Sequence, residues 1–273
     1  MVRWFAALFA CALLVTSAGA QELDATARLM RDLTEAPGPS AFEESVREIV
    51  VEEYRSLGAG IAFDGLGSVV ATLPGNTSGP RVMVTAHMDE VGLMVQYVTD
   101  DGFIRVKNLG GLLDQAYPDQ RWTILGANGP VPAVSGLPTI HVTPPEQRSR
   151  VWSLNEIFLD VGAASRAEVE ALGVRPGDGV APWSPFLVLP NGRYAAKAWD
   201  DRVGLAVMIA AARRIRAENL RLPAQILWVA TTQEEIGLRG AQTSVDLARP
   251  DLGISVEAGV AADFPGIGPT QAQ

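Results

Sequence analysis

The sequence predicts an α/β fold into which a small β-rich domain is inserted, and three observations support this. Near-continuous apolar runs at 81–86, 224–230 and 252–256 are typical of strands buried on both faces. Helical spacing of apolar residues precedes the first run and separates the first from the second. Residues 95–192 contain short alternating segments separated by Gly, Pro and Asp, which is typical of a β-rich domain.

This pattern predicts three parts along the chain. The α/β domain is expected to comprise residues 21–94 and 193–273, with residues 95–192 inserted between its two halves. Within its first half, Ser40-Ala41-Phe42-Glu43 matches a capping box and predicts a helix that ends near Gly58. Short strands are expected at 61–63 and 68–73. In the second half, residues 203–216 form an apolar and then basic segment that predicts a further helix.

The composition excludes several classes of protein. The chain has 273 residues, of which 48% are hydrophobic and 19% charged, so a disordered or fibrous chain is excluded. Its net charge of −9 argues against nucleic-acid binding, which requires a clustered basic face. A single cysteine, Cys11, excludes a disulfide framework and a cysteine-based zinc site. Because only His87 and His141 supply imidazole, any metal site must depend mainly on carboxylates.

The first twenty residues are typical of a secretory signal peptide. Arg3 precedes a short apolar run, and Ala18-Gly19-Ala20 provides a cleavage pattern that would leave Gln21 as the first mature residue. The run is too short for a stable membrane span. An uncleaved anchor and a lipoprotein signal at Cys11 are the alternatives. We expect residues 1–20 to be removed from a bacterial protein that is periplasmic or secreted.

Polar residues follow the predicted buried strands directly, and others begin the later helix. Because the carboxyl ends of parallel strands meet at one edge of a sheet, these residues are expected to lie close together, where open α/β sheets bind ligands. The candidates at the strand ends and the helix start are His87, Asp89, Asp200, Asp201, Glu234, Glu235 and Glu257.

Each candidate alone has a simpler explanation, such as a structural histidine, a helix cap, a solvated acidic turn or a surface ion pair. His141, in the inserted domain, is assigned such a structural role. Together, however, the candidates would form an uncompensated cluster of negative charge unless cations lie among them. Nitrogen and oxygen ligands suit Zn²⁺, Co²⁺ or Mn²⁺. In a two-metal hydrolytic site, one of Glu234 and Glu235 would bind metal and the other would take a proton from water.

Four stretches of the chain resemble the M42 family of metallo-aminopeptidases, which includes glutamyl aminopeptidases and proteins described as endoglucanase M. The resemblance extends from Leu33 to Pro265, and the stretches occur in the family's order. They are LTEAPGPS at 33–40, AHMDEVG at 86–92, DDRVG at 200–204 and QEEIGLRGA at 233–241.

The resemblance implies a three-layer α/β/α catalytic domain, with the inserted domain as the family's barrel-like apical domain. It also implies two divalent ions, peptide substrates and a homo-oligomer. Glu257 stands where the family more often has Asp. The implied roles are metal ligands His87, Asp200 (bridging), Glu235 and Glu257, an orienting Asp89, and Glu234 as the general base.

The family carries its last metal-ligating histidine in a closing segment that lies beyond the matched stretches. We therefore expect the 273-residue chain to be a truncated product, a fragment or a naturally short relative, with a weakened second metal site. The leading functional hypothesis is a metal-dependent aminopeptidase. The alternatives are a related N-acyl deacylase and a non-catalytic remnant that binds metal or peptide without turnover.

Overall fold

The structure is a computed structural model that describes residues 23–75, 79–261, 263–266 and 268. The signal peptide predicted at 1–20 lies outside the described residues. Within the described ranges, no helix combines the length and apolar character that a membrane span requires.

Helices and strands alternate at both ends of the chain, and strands dominate its middle. The helices are α1 (Ala25–Glu35), α2 (Glu44–Ser56), α3 (Arg166–Ala171), α4 (Trp199–Ala217) and α5 (Arg239–Ala248). The first seven strands are β1 (Gly60–Phe63), β2 (Val69–Thr72), β3 (Arg81–His87), β4 (Gly92–Val98), β5 (Ile104–Leu109), β6 (Arg121–Gly126) and β7 (Gly129–Gly136). The remaining strands are β8 (Phe158–Asp160), β9 (Gly179–Pro182), β10 (Leu187–Leu189), β11 (Arg193–Ala195), β12 (Gln225–Thr231) and β13 (Leu252–Ser255).

The main sheet brings the ends of three strands to one edge. Its order is β1-β2-β12-β3-β13, in which β12 and β13 both run parallel to β3. The register pairs Thr231 with His87 and Ser255 with Thr85. The residues that follow β3, β12 and β13 therefore emerge at the same edge of the sheet.

Helices cover both faces of this sheet, as alternation along β12 shows. Trp228 and Ala230 belong to the core shared with α1, α2 and α4, whereas Leu227 and Val229 pack with Ala248 of α5. Successive side chains of a strand point to opposite faces, so β12 serves both cores. This three-layer α/β/α arrangement confirms the predicted fold class.

The chain between β3 and α4 forms a closed barrel with the order β4-β5-β8-β7-β6-β9. Its core is separate from the sheet core and includes the fully buried Ile104, Ile124, Leu159 and Val180. The hairpin of β10 and β11 then leads back to α4. The barrel-like sheet expected in the middle of the sequence is present.

The predicted capping box at the start of α2 is wrong. Ser40 donates its hydroxyl hydrogen bond to the carboxylate of Asp89 at 2.6 Å, and Glu43 makes no side-chain cap. The Glu43 carboxylate instead accepts from the Ala41 amide at 2.8 Å and from the Thr232 hydroxyl at 2.5 Å. Both polar side chains are buried, so long-range partners replaced the local pairing that the pattern indicates.

The prediction that 252–256 forms a strand buried on both faces is also wrong. Among the described residues, β13 lies at the edge of the sheet, and Leu252 and Ile254 are 55% and 46% exposed. An apolar run identifies a strand but not its position in the sheet, so this error could not be seen in the sequence.

Asp64 connects the β1–β2 turn to α5, and its loss is expected to destabilise the fold. One carboxylate oxygen accepts from the amides of Leu66, Gly67 and Ser68 at 2.8–2.9 Å. The other accepts from the hydroxyls of Thr243 and Ser244 at 2.7 and 2.8 Å. We expect Asp64→Asn to lower the free energy of unfolding by about 1–2 kcal/mol, measured by urea denaturation at neutral pH.

The pH dependence follows from the pKa of Asp64. Burial alone would raise this pKa, but the hydrogen bonds from Thr243, Ser244 and Ser68 hold it below its ordinary value. A lowered pKa stabilises the fold above the unfolded-state pKa of about 4, and this contribution is lost as the pH falls. The difference between wild type and Asp64→Asn should therefore shrink below about pH 4. Asp246→Asn, an exposed change on α5, is the control; an equal effect of both variants would contradict the assignment.

Candidate metal centre

His87 lies at the centre of the carboxylate cluster, at the end of β3. Its side chain is buried, and its Nδ1 lies 2.9 Å from the backbone carbonyl of Asp89. The other ring nitrogen, Nε2, lies 2.9 Å from Asp200 Oδ1, 3.5 Å from Glu257 Oε1 and 3.9 Å from Glu234 Oε2. The ring is thus fixed on one side and presents Nε2 to carboxylates on the other.

The two aspartates at the start of α4 have different roles. Both have non-helical backbone angles, and the peptide bond between them is cis. Asp201 is fully buried and accepts from the amides of Gly204 at 3.2 Å and His87 at 3.3 Å, so it caps the regular part of α4. Asp200, whose side chain is 59% exposed, faces His87. The helix-cap explanation therefore holds for Asp201, and Asp200 remains free to bind a ligand.

The carboxylate of Asp89 holds the turn that contains Glu234 and Glu235, here called the acidic turn, against β3. It accepts from the backbone amides of Glu234 at 2.9 Å and Glu235 at 3.1 Å, and from Ser40 at 2.6 Å. Hydrogen bonds from these neighbours and from His87 outweigh burial and lower the pKa of Asp89. The Asp89 backbone carbonyl lies closer to His87 Nδ1, at 2.9 Å, than the Asp89 carboxylate does, at 3.5 Å, and the orienting role of Asp89 stays a prediction.

Replacing Asp89 is expected to disturb the acidic turn. Asn would present an amide group to one of the two backbone N–H donors, leaving a buried donor without an acceptor. We expect Asp89→Asn to cost about 1–3 kcal/mol in the free energy of unfolding and to weaken Co²⁺ binding, measured by urea denaturation and calorimetry. Ser40→Ala removes only one of the three hydrogen bonds and is the matched control. If Asp89→Asn binds Co²⁺ as tightly as wild type does, the turn does not depend on this carboxylate.

The acidic turn itself places two carboxylates beside His87. Glu234 is partly buried with its Oε2 toward the His87 ring, and Glu235 lies beside it. Burial, followed by the neighbouring carboxylates Asp200, Asp89 and Glu234, raises the pKa of Glu235 to about 7, although His87 opposes this. The site therefore contains more negative charge than its protein groups neutralise.

The pKa of His87 shows the same excess of negative charge. Burial would lower it, but hydrogen bonds with Asp200 and Asp89 raise it to about 11. Burial and the charge of Glu257 likewise raise the pKa of Asp201 to about 7. A divalent cation would neutralise this cluster more effectively than a single proton on the imidazole does.

Glu90, Lys197 and Arg202 form a buried ion cluster next to the centre. The sequence analysis did not predict this cluster. Glu90 follows Asp89 in the chain and accepts from Lys197 Nζ at 2.6 Å and from the Gly38 amide at 3.1 Å. Arg202 NH2 lies 3.6 Å from the same Glu90 oxygen. Burial lowers the pKa of Lys197, partly offset by the charge of Glu90. Glu90 and Arg202 were visible only as members of motif stretches, and nothing in the sequence pointed to Lys197.

The donor atoms fit divalent cations. In two groups the donor atoms lie within 4.8 Å of one another: His87 with Asp200 and Glu257, and His87 with Glu234 and Glu235. One imidazole nitrogen with several carboxylate oxygens is a ligand set that suits Zn²⁺, Co²⁺ or Mn²⁺. All six predicted site residues thus come together at one edge of the sheet, although their individual roles stay predictions. His141 is exposed in the barrel segment.

Known proteins are similar to this chain in sequence. The family profile described as M42 glutamyl aminopeptidase matches residues 67–273. The lysyl aminopeptidase of Pyrococcus furiosus is 36% identical over 234 residues, which cover 84% of this chain and 65% of that protein. The chain therefore spans just under two thirds of that relative.

Solved structures show the same likeness. The TET aminopeptidase from a marine sediment archaeon, Thaumarchaeota archaeon SCGC AB-539-E09, has a TM-score of 0.87 and 38% identity, covering 90% of this chain and 69% of that one. The TET1 peptidase of Pyrococcus horikoshii, described as assembling into a tetrahedron or a large octahedral shell, has a TM-score of 0.77 and 28% identity. That match covers 85% of this chain and 68% of that one. By its family profile and its relatives, this chain belongs to the M42 glutamyl aminopeptidase family.

Proposed function

We propose that this chain carries the active site of a divalent-cation-dependent aminopeptidase that removes residues from the free N-termini of peptides. The observation that carries the proposal is the convergence of His87, Asp200, Glu234, Glu235 and Glu257 at one edge of the sheet. Membership of a family described as glutamyl aminopeptidases supports the same reaction class.

The cations would be held by His87, Asp200 and Glu257 on one side and by Asp200 and Glu235 on the other. Zn²⁺, Co²⁺ or Mn²⁺ would polarise the scissile carbonyl and lower the pKa of a water molecule. The acidic groups of the site would also attract the positively charged amino terminus of a peptide.

Glu234 is the residue we assign to proton transfer. Its carboxylate is partly exposed, which leaves it accessible to water, while the Asp89 carboxylate fixes its backbone amide. Glu234 would take a proton from the attacking water and give it to the nitrogen of the departing peptide. Asp89 contributes by holding Glu234 and Glu235 in place and does not itself need to touch the substrate.

Peptides with free and with acetylated N-termini test the proposal directly. The purified chain, supplied with Zn²⁺, Co²⁺ or Mn²⁺, should cleave the first residue from free peptides, and chelation by EDTA should stop cleavage. His87→Ala should abolish cleavage, whereas His141→Ala, at an exposed position, should retain it. Cleavage confined to acetylated substrates would instead indicate a deacylase. Cation binding without hydrolysis of either substrate would contradict the proposed activity of this chain.

We further propose that the protein is exported and assembles as a homo-oligomer. Arg3, the apolar run and Ala18-Gly19-Ala20 support export, and N-terminal sequencing of protein recovered outside the cytoplasm should begin at Gln21. A cytosolic form that retains residues 1–20 would contradict export.

The Pyrococcus horikoshii TET1 peptidase, described as assembling into a tetrahedron or a large octahedral shell, supports the proposed oligomer. Light scattering after gel filtration should give a mass above that of one chain.

A further inference from the structure

Gly110, which directly follows β5 of the barrel, lies so near Glu235 that an added Cβ atom would meet the Glu235 side chain. A Cβ atom at this position would lie 3.1 Å from Glu235 Cβ and 3.2 Å from Glu235 Oε2. It would also lie 2.9 Å from Val91 Cγ1, and Gly110 has a φ of +82°. Both the close approach and the left-handed backbone favour glycine at this position.

Few other groups restrain the Glu235 carboxylate. Its backbone amide is held by Asp89 at 3.1 Å, but among the described residues no hydrogen bond or ion pair is formed by its side-chain oxygens. The position of the carboxylate therefore depends on the atoms that pack around it. Gly110 provides some of these neighbouring atoms. It belongs to the inserted barrel and not to the domain that contains His87.

The geometry points to Gly110 as a positioning residue: we propose that the backbone of the barrel at Gly110 sets where the Glu235 carboxylate lies in the metal centre. The inference rests on the proposed function, because Glu235 acts in it as a cation ligand. It makes the barrel a structural part of the metal centre. A methyl group at residue 110 would push the Glu235 oxygen away by several tenths of an ångström.

Ligand position controls cation affinity strongly. Distances from ligand to metal must be met within about 0.2 Å. Changes to groups that orient a ligand typically reduce metal affinity by about 10–100-fold. The Co²⁺ ion that depends on Glu235 is identified as the one that Glu235→Ala no longer binds. For this ion, we expect Gly110→Ala to reduce the affinity by a factor of the same size.

Two glycines of the barrel provide matched controls. Gly111 has no atom within 4 Å of its would-be Cβ, so Gly111→Ala tests for any effect of a methyl group in this loop. Gly162 also has no such neighbour but has a φ of +78°, so Gly162→Ala reproduces the backbone strain alone. Co²⁺ affinity is measured by calorimetry in wild type, Gly110→Ala and the two control variants, and folding is checked by circular dichroism. We expect both controls to bind Co²⁺ as wild type does.

A double-mutant comparison separates positioning from general damage. In a Glu235→Ala background, Gly110→Ala should cause no further loss of Co²⁺ affinity, since the ligand that it displaces is already absent. If Gly110→Ala alone does not fold, Val91→Ala/Gly110→Ala removes the Val91 Cγ1 contact and keeps the contact with Glu235.

Three results would overturn the inference. If Gly110→Ala folds and binds Co²⁺ as tightly as wild type does, the inference fails and the proposed function stays intact. An equal loss in Gly162→Ala would show that backbone strain, not the contact with Glu235, is responsible. If the wild-type chain bound no Co²⁺ at all, the proposed function would fail and this inference with it.

Discussion

Glu234→Gln is expected to lower kcat by about 10²–10⁴-fold, the usual contribution of a general base. Gln keeps the size of the side chain but cannot take a proton from water. The Glu234 backbone amide would still donate to Asp89, so the turn should keep its shape. Co²⁺ affinity should change much less than kcat, because this carboxylate is assigned to proton transfer and not to the principal ligand sets. Hydrolysis of an aminoacyl chromogenic substrate and calorimetry measure the two quantities.

Glu235→Gln is the matched control, because it makes the same chemical change at the adjacent residue. Glu235 is the assigned ligand, so this variant should lose cation affinity first and activity as a consequence. Raising the Co²⁺ concentration should restore activity partly in Glu235→Gln and not in Glu234→Gln. The opposite pattern, with rescue of Glu234→Gln alone, would exchange the two roles, and near-normal kcat in Glu234→Gln would remove its assignment as base.

The parts of the fold that depend on local pattern could be predicted from the sequence. The runs before His87 and before Glu234 identified β3 and β12, because strands buried on both faces are apolar at nearly every position. Their parallel register was then sufficient to bring His87 and the acidic turn to one edge. The candidate residues came together for this reason, and not because their spacing in the chain resembles a metal-binding motif.

Features that depend on partners distant in the chain could not be predicted. The Ser40–Glu43 pattern satisfies the rule for a capping box, yet Ser40 bonds Asp89, which is 49 residues away. β13 is an apolar strand at an edge of the sheet, which its composition does not reveal. The proximity of Gly110 to Glu235 brings together two parts of the chain that are far apart in sequence, and it depends on how the barrel folds. Local pattern carries no information about such contacts.

The number of tightly held cations follows from the single imidazole among the described residues of the site. His87 belongs to both groups of donor atoms, and its Nε2, which faces Asp200, Glu234 and Glu257, can ligate only one ion. With Asp200 and Glu257, His87 provides three protein ligands for a first ion, which is the usual number in catalytic zinc sites. The described residues then leave only carboxylates, Glu235 and the shared Asp200, for a second ion.

We therefore expect this chain to retain about one Zn²⁺ or Co²⁺ after dialysis against metal-free buffer, with a second equivalent binding at least about 10-fold more weakly. Elemental analysis of the dialysed protein gives the first number and calorimetric titration the second. His87→Ala should abolish tight retention, whereas Glu235→Ala should leave the first ion and remove the second. Two ions retained by the wild-type chain would show that a further protein ligand completes the second site, and one ion retained by His87→Ala would show that the carboxylates alone form the tighter site.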